Sequence, residues 1–351
     1  MIGTFFTRAN QNRLTLTLPM QLKILKIFPK KSYYSLLIFL LIFIFSVFAE
    51  LIANDKPLIV RYKDNFYFPI FKSYPEITFN GEFETEADYH DPYIKNTIKT
   101  NGWLIFPLIP FSYNTINYNI TSPAPSKPSK ENWLGTDDNG RDVLTRIIYG
   151  IRISLIFGLV LTIISSIIGI LLGAIQGYFG GLLDLFFQRF MEIWSGLPIL
   201  FLLIILSSII EPSFWILLCI MLLFSWMSLV GMVRAEFLKL RNYDFVRGAK
   251  SLGASDKRII FTHILPNALT SSLASLPFLL IHSILTLVSL DFLGLGLSID
   301  SPSLGEILAQ GKNNITAYWL GFSGFFIITL ISTLLVFIGE GLRDILDIRK
   351  S

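Results

Sequence analysis

Three histidines, one cysteine and a glycine-bounded run ending in lysine are the residues of this 351-residue chain with the types and spacing to carry chemistry. A metal centre needs its His, Cys or carboxylate ligands within reach of one another. His90, His263 and His282 instead fall in three segments of different character, with no His-Glu-x-x-His pair. Cys219 is a lone thiol inside an apolar run, so it forms no internal disulfide and no thiolate cluster. "GEILAQGKNN" has the outline of a phosphate-binding loop, but five residues separate Gly305 from Gly311, one more than that loop has, and Asn313 stands where Ser or Thr would meet magnesium. No hydrolytic or nucleotide site is expected in this chain. The sequons at Asn119 and Asn314 are short enough to arise by chance.

The elements that would position any site are membrane spans. Apolar residues make up 52% of the chain and charged ones 15%, against roughly 25% charged in soluble domains. Runs near 33–53, 153–175, 214–233, 270–291 and 319–339 each approach the ~20 residues that cross a bilayer. A sixth, near 190–210, is interrupted by Gly196 and Pro198 and ends at Glu211-Pro212. The first run reads as an uncleaved signal anchor. The expected fold is an all-α polytopic membrane protein of about six transmembrane helices, with an extracytoplasmic insertion between spans one and two. His282 is the one ionisable group near mid-span, a functional candidate by its place; the competing reading is a neutral imidazole hydrogen-bonded to a neighbouring helix. Glu50, Asp291 and Glu340 sit near span ends, where they are expected to reach the interface.

Net charge is +4, and its placement speaks to topology rather than to nucleic acid. Residues 1–32 carry six Lys and Arg with no acid, 234–269 carry seven, and the tail from Glu340 carries three, whereas 292–320 has only Lys312. The positive-inside rule then puts both termini and the 234–269 loop in the cytoplasm. Between spans, 54–130 mixes aromatics, acids, Pro and Gly, and is expected to be strand and turn. "TSPAPSKPSKEN" closes it as a stiff extended linker, with a boundary near 130. The expected units are a basic N-terminus at 1–32, the first span at 33–53, the insertion at 54–130, a membrane core at 131–345 and a tail at 346–351. Asp137-Asp138 precede a helix expected to begin near Asn139 and run into the second span, where acids complement its dipole.

The 242–269 stretch, "NYDFVRGAKSLGASDKRIIFTHILPNAL", is a polar interruption with a helical pattern of its own. Phe245, Ala249 and Leu252 recur at helical spacing as a narrow apolar stripe, with Arg247 and Lys250 on other faces. Gly253 is placed to end that helix in a left-handed turn. Ser255 would supply the cap and Asp256 the N-terminal acid of a second helix through Ile260, before Pro266 opens the fifth span. Such an elbow fits either a groove on a soluble partner or the surface of anionic lipid.

This stretch resembles the cytoplasmic coupling loop of bacterial ABC importer permeases, with its pattern Glu-Ala-Ala, three residues, Gly, nine residues, Ile-x-Leu-Pro. Arg247, Gly248 and Ala249 stand at the first three positions, Gly253 at the glycine, His263 at the isoleucine and Leu265-Pro266 at the close. The spacing matches; Arg for Glu, Gly for Ala and His for Ile depart from the pattern. "NWLGTDDNGRDVLTRIIYGIRISL" at 132–155 and "LDFLGLGLSIDSPSLGEILAQG" at 290–311 resemble blocks of the OppC/DppC-type permeases of oligopeptide and dipeptide importers. The long insertion is similar to that of the microcin-C-type branch. The resemblance implies a type I importer permease fold and a peptide path shared with a second, homologous permease. It implies an external peptide-binding protein and cytoplasmic ATP-binding subunits that hold the ATP and magnesium, leaving no cofactor and no catalysis in this chain. It also implies ATPase coupling through Phe245, Arg247, Gly248, Ala249, Lys250, Leu252, Gly253, Ala254 and Asp256. The competing class, an ATP-independent secondary transporter or channel, would need ion-coupling charges within the spans, and apart from His282 there are almost none.

Overall fold

The structure, a computed structural model, describes residues 29–120, 122–298 and 300–348. The basic stretch at 1–28 and the tail residues past 348 lie outside the described residues. α1 (Lys30–Val47) starts at Pro29, whose fixed φ suits a helix entry, and so begins three residues ahead of its apolar run. One further turn, α2 (Ala49–Ile52), leads into the insertion.

The insertion holds a three-stranded antiparallel sheet of order β2-β1-β3, made of β1 (Ile59–Tyr62), β2 (Asn65–Tyr67) and β3 (Gly102–Ile105). Lys63 and Asp64 both take positive φ, the conformation that a two-residue hairpin turn needs to match strand twist. Val60 and Tyr62 face inward onto Ile94 and Ile98 of α3 (Pro92–Asn101), together with Phe79 and Tyr89. The expected strand and turn is present, with one ten-residue helix added. The Pro/Ser segment departs from a free linker: Ser126 is buried, and its N–H and C=O both pair with Thr136. Asn117 likewise bonds Asn132 at 2.9 Å, so the segment folds back on the chain that enters the bundle.

α4 (Val143–Phe179) is the central helix, 37 residues and about 55 Å long. It begins at Val143, four residues past the expected start. Asp142, rather than Asp137-Asp138, supplies the cap, accepting from the Thr145 N–H at 2.8 Å. Burial raises the Asp142 carboxyl above the usual carboxylate range, against the pull of its hydrogen bonds from Asn132 and Thr145. Where the interrupted third span is expected, α5 (Gly181–Ser195) and α6 (Ile199–Ser207) form an apolar helix pair bent by 58° at the Gly196–Pro198 break. α7 (Phe214–Ser225) and α8 (Met227–Leu240) form one apolar span over Phe214–Leu240. The elbow follows as α9 (Asp244–Ser251) and α10 (Asp256–Arg258). A π-helical turn over Ile259–Ile264 then runs straight into α11 (Leu265–Phe292), so no break occurs at Pro266. α12 (Leu304–Asn313) and the closing span α13 (Tyr318–Ile348) complete the fold.

One core joins α1, α4, α11 and α13 through Phe39, Ile147, Leu155, Ile284, Val288 and Leu335. α4 meets α8 along glycines at four-residue spacing, Gly169, Gly173 and Gly177, a small-residue seam that lets two backbones approach without side chains between them. A Cβ on Gly173 would lie 2.8 Å from the Val230 carbonyl oxygen and 2.9 Å from the Val233 Cβ, so the helices must part to admit it. Gly173→Leu is expected to lower stability by ~1–3 kcal/mol or more, the range for overpacking. Gly231→Ala, where the added Cβ meets nothing within 4 Å, is expected to be near neutral. Thermal unfolding of both variants in lipid nanodiscs checks the difference.

Candidate coupling site

The elbow is built at the far end of α4 from the insertion. The Arg241 guanidinium donates to the Gly177 and Tyr178 carbonyls at 3.2 Å each, fixing the end of α8 against the end of α4. Arg234 grips Asp184 bidentately at 2.6 and 2.7 Å, tying α8 to α5. From that fixed point α9 turns one residue inward: Val246 is buried among Ala174, Val233, Phe237, Ile259 and Ile264. The helix is therefore held by Val246, a contact outside the expected stripe.

The stripe faces outward. Phe245 is 43% exposed and Leu252 85%, Ala249 is half-buried, and Arg247, Gly248 and Lys250 are exposed beside them. Gly253 takes φ +80°, and the turn around it has the double hydrogen bond of a left-handed helix end. Gly253 N–H donates to the Lys250 carbonyl at 3.0 Å, and Ala254 N–H reaches back to the Ala249 carbonyl at 3.1 Å. Ser255 departs from the expected capping role, making no side-chain cap; Asp256 stands in the first turn of α10 as expected, and its carboxylate also accepts a hydrogen bond from the Tyr178 hydroxyl at the end of α4. The elbow is thus pinned to the helix that begins at the insertion. Beside it opens a cleft of about 1520 Å³, lined by Tyr243, Phe245, His263, Thr270 and Leu346. Among the described residues no group of three or more His, Cys, Asp or Glu is placed to hold a metal ion.

Other sequence candidates fall elsewhere. His90 lies half-buried in the insertion, its ring stacked on Phe111, and His282 is exposed on α11 with no ring hydrogen bond among the described residues, unlike the imidazole bonded to a neighbouring helix of the competing reading. Asp291 does not reach an interface; it is buried, accepting from the Leu297 N–H at 2.7 Å and from the Ser303 hydroxyl. Glu50 pairs with Arg152.

A second constellation, at the insertion end of α4, escaped sequence reading. Asp137 accepts from the Arg141 backbone and side chain at 2.8 and 2.7 Å and lies 3.5 Å from Arg146. Glu306 on α12 accepts from both arginines, and Gln310 donates to it at 3.0 Å. Asp137 and Arg146 are fully buried. Burial raises the Glu306 carboxyl above the usual range, opposed by Arg146 and Arg141. The signal for it was present: Asp137, Arg141 and Arg146 crowd one short stretch beside an apolar helix that leaves them few places to go but inward.

Long apolar helices, several of them long enough to cross a bilayer, define a polytopic membrane protein. A family model described as binding-protein-dependent transport system inner membrane component matches residues 165–351, and the chain belongs to that family. It is 55% identical over 322 residues to the inner membrane ABC transporter permease protein YejE of Escherichia coli, covering 92% of this chain and 94% of that one. Over 346 residues it is 49% identical to the peptidoglycan transport system permease protein YejE of Agrobacterium fabrum, covering 92% and 91%. The oligopeptide transport system permease protein OppC of Bacillus subtilis is 34% identical over 241 residues, covering 68% of this chain and 77% of that one. The long matches take in the insertion, as the resemblance to the long-insertion branch requires. Family membership decides for the ATP-driven importer class over an ATP-independent transporter or channel.

Proposed function

We propose that this chain imports peptides as one half of a permease pair, its path completed by a second, homologous permease. In this reading both termini and the elbow face the cytoplasm, and the insertion faces outward toward a peptide-binding protein. ATP and magnesium belong to cytoplasmic ATP-binding subunits, and the chain itself catalyses nothing. The observation that carries the reading is the elbow's division of labour: Val246 is buried to hold α9 to the bundle, while Phe245 and Leu252 are left exposed beside Arg247 and Lys250. Large apolar side chains flanked by cations suit a groove with an acidic rim on a protein partner. ATP-driven closure of the ATPase pair would move α9, and the contact must carry influence in both directions, so substrate delivery outside favours ATPase closure inside. Affinity purification of the tagged chain in mild detergent, with mass spectrometry and an ATPase assay, tests this. An ATP-binding subunit and a second permease are expected in the eluate with ATPase activity. A chain that purifies alone and moves peptide without ATP would overturn it.

A further inference from the structure

At the junction of the insertion with the bundle lies a cleft of about 500 Å³, within the roughly 300–1,000 Å³ typical of small-ligand sites. Its lining comes from both parts of the chain. His90, Phe106 and Phe111 form an aromatic wall: the His90 ring stacks on Phe111 at 6.2 Å between centroids and lies 5.0 Å from Phe106. Trp133 adds a fourth ring, its indole N–H donating to the Lys130 carbonyl at 3.2 Å. Lys95, whose ammonium lies 5.8 Å from the centre of the Phe106 ring, and Lys130 supply two cations; Glu131 supplies one exposed carboxylate. Asp142 lines the cleft too, but its oxygens are already taken by Asn132 and the Thr145 N–H.

The charges of this cleft select among ligands. A simple anion would use the lysines but meet Glu131 and leave the aromatic wall unused. A purely apolar ligand would leave both ammonium groups unanswered. We propose that the cleft binds a short zwitterionic peptide bearing an aromatic or branched side chain. Lys95 and Lys130 receive its terminal carboxylate, Glu131 receives its ammonium group, and His90, Phe106, Phe111 and Trp133 cover the side chain. The site rests on the peptide-import reading for the class of its ligand and on the cleft for its place. It belongs to the permease chain itself, outside the spans.

The test is calorimetric titration of Ala-Phe, and of its C-terminal amide, into the whole importer complex in nanodiscs without the external binding protein. Saturable binding of Ala-Phe is expected. It should weaken about tenfold or more for the amide and for the Lys95→Gln/Lys130→Gln double variant. Unchanged thermal unfolding of each variant separates lost contacts from lost folding. Uptake of the same peptide with the binding protein restored is measured in parallel. Normal uptake with no calorimetric binding, or binding indifferent to both changes, overturns the cleft site and leaves the importer reading standing. Absence of both binding and uptake overturns the peptide class for both.

Discussion

Gly253→Val is expected to reduce ATP-driven uptake by an order of magnitude or more while the chain still inserts and folds. The residue takes φ +80°, a conformation that costs an L-residue roughly 1–2 kcal/mol, with β-branched side chains at the unfavourable end. Nothing lies within 4 Å of where its Cβ would be, so no clash contributes, and the change acts on backbone conformation alone. Valine would pull the turn toward extended or right-handed backbone. The Ala254-to-Ala249 and Gly253-to-Lys250 hydrogen bonds that define the end of α9 would then be lost. The orientation of α9, with Phe245 and Leu252 on its outward side, would change relative to α10 and the π-helical turn that follow it. Gly253→Asn is the control, because asparagine tolerates the left-handed region and should keep most of the uptake. Comparing ATPase stimulation with uptake for the two variants in proteoliposomes separates a geometric elbow from a spacer. Equal uptake by the valine and asparagine variants would remove the elbow from the mechanism.

How much of this was legible in the sequence depends on the range of the interaction concerned. The spans follow from local apolar content, and the break in the third follows from Gly196 and Pro198, whose effects are confined to their own backbone. The Gly253 turn was legible for the same reason: left-handed backbone is a one-residue requirement. The residue that fastens the elbow was not, because Val246, Ile259 and Phe237 find each other through the fold, and a three-residue stripe on an eight-residue helix cannot say which side faces home. Asp256 was read as the acid at the start of the second helix because local rules place acids there, and it stands there, but its tertiary contact was not legible. Its partner, Tyr178, is 78 residues away. Asp137 was read as a dipole partner for the same reason, although the four-residue shift in the start of α4 places it in a buried cluster instead. The α4 glycine seam was open to reading, since Gly169, Gly173 and Gly177 repeat at four residues, but its significance appears only once α8 lies against it.

Arg146 carries the largest expected effect on stability. Its guanidinium donates to the Tyr113 carbonyl at 3.2 Å, to the Ser301 carbonyl at 3.2 Å and to Glu306, so one buried side chain joins the insertion, the loop before α12 and α12 itself. Arg146→Met removes the cation and leaves Asp137 and Glu306 facing Arg141 alone, with two carbonyls unpaired. Breaking a buried ion pair from one side costs about 3–5 kcal/mol. Arg146→Lys should rescue little, because an ammonium cannot reproduce a planar fork reaching three acceptors. Glu306→Gln should be much milder. Burial raises the Glu306 carboxyl, so the folded chain holds that proton more readily than the unfolded one, and the amide imitates the protonated form. The pH dependence has a definite sign: a raised folded-state pKa gives a contribution that is full below the ordinary Glu value of 4.5 and is lost as pH rises through the raised value. Wild type should therefore gain stability relative to Glu306→Gln as pH falls from 7 toward 4.5. Thermal unfolding of the three variants and wild type across that range decides the matter. A wild type that loses ground to Glu306→Gln on acidification would mean that the arginines dominate and that Glu306 is held charged; Arg146→Met unfolding with wild type would mean that the insertion and α12 are joined by something other than this cluster.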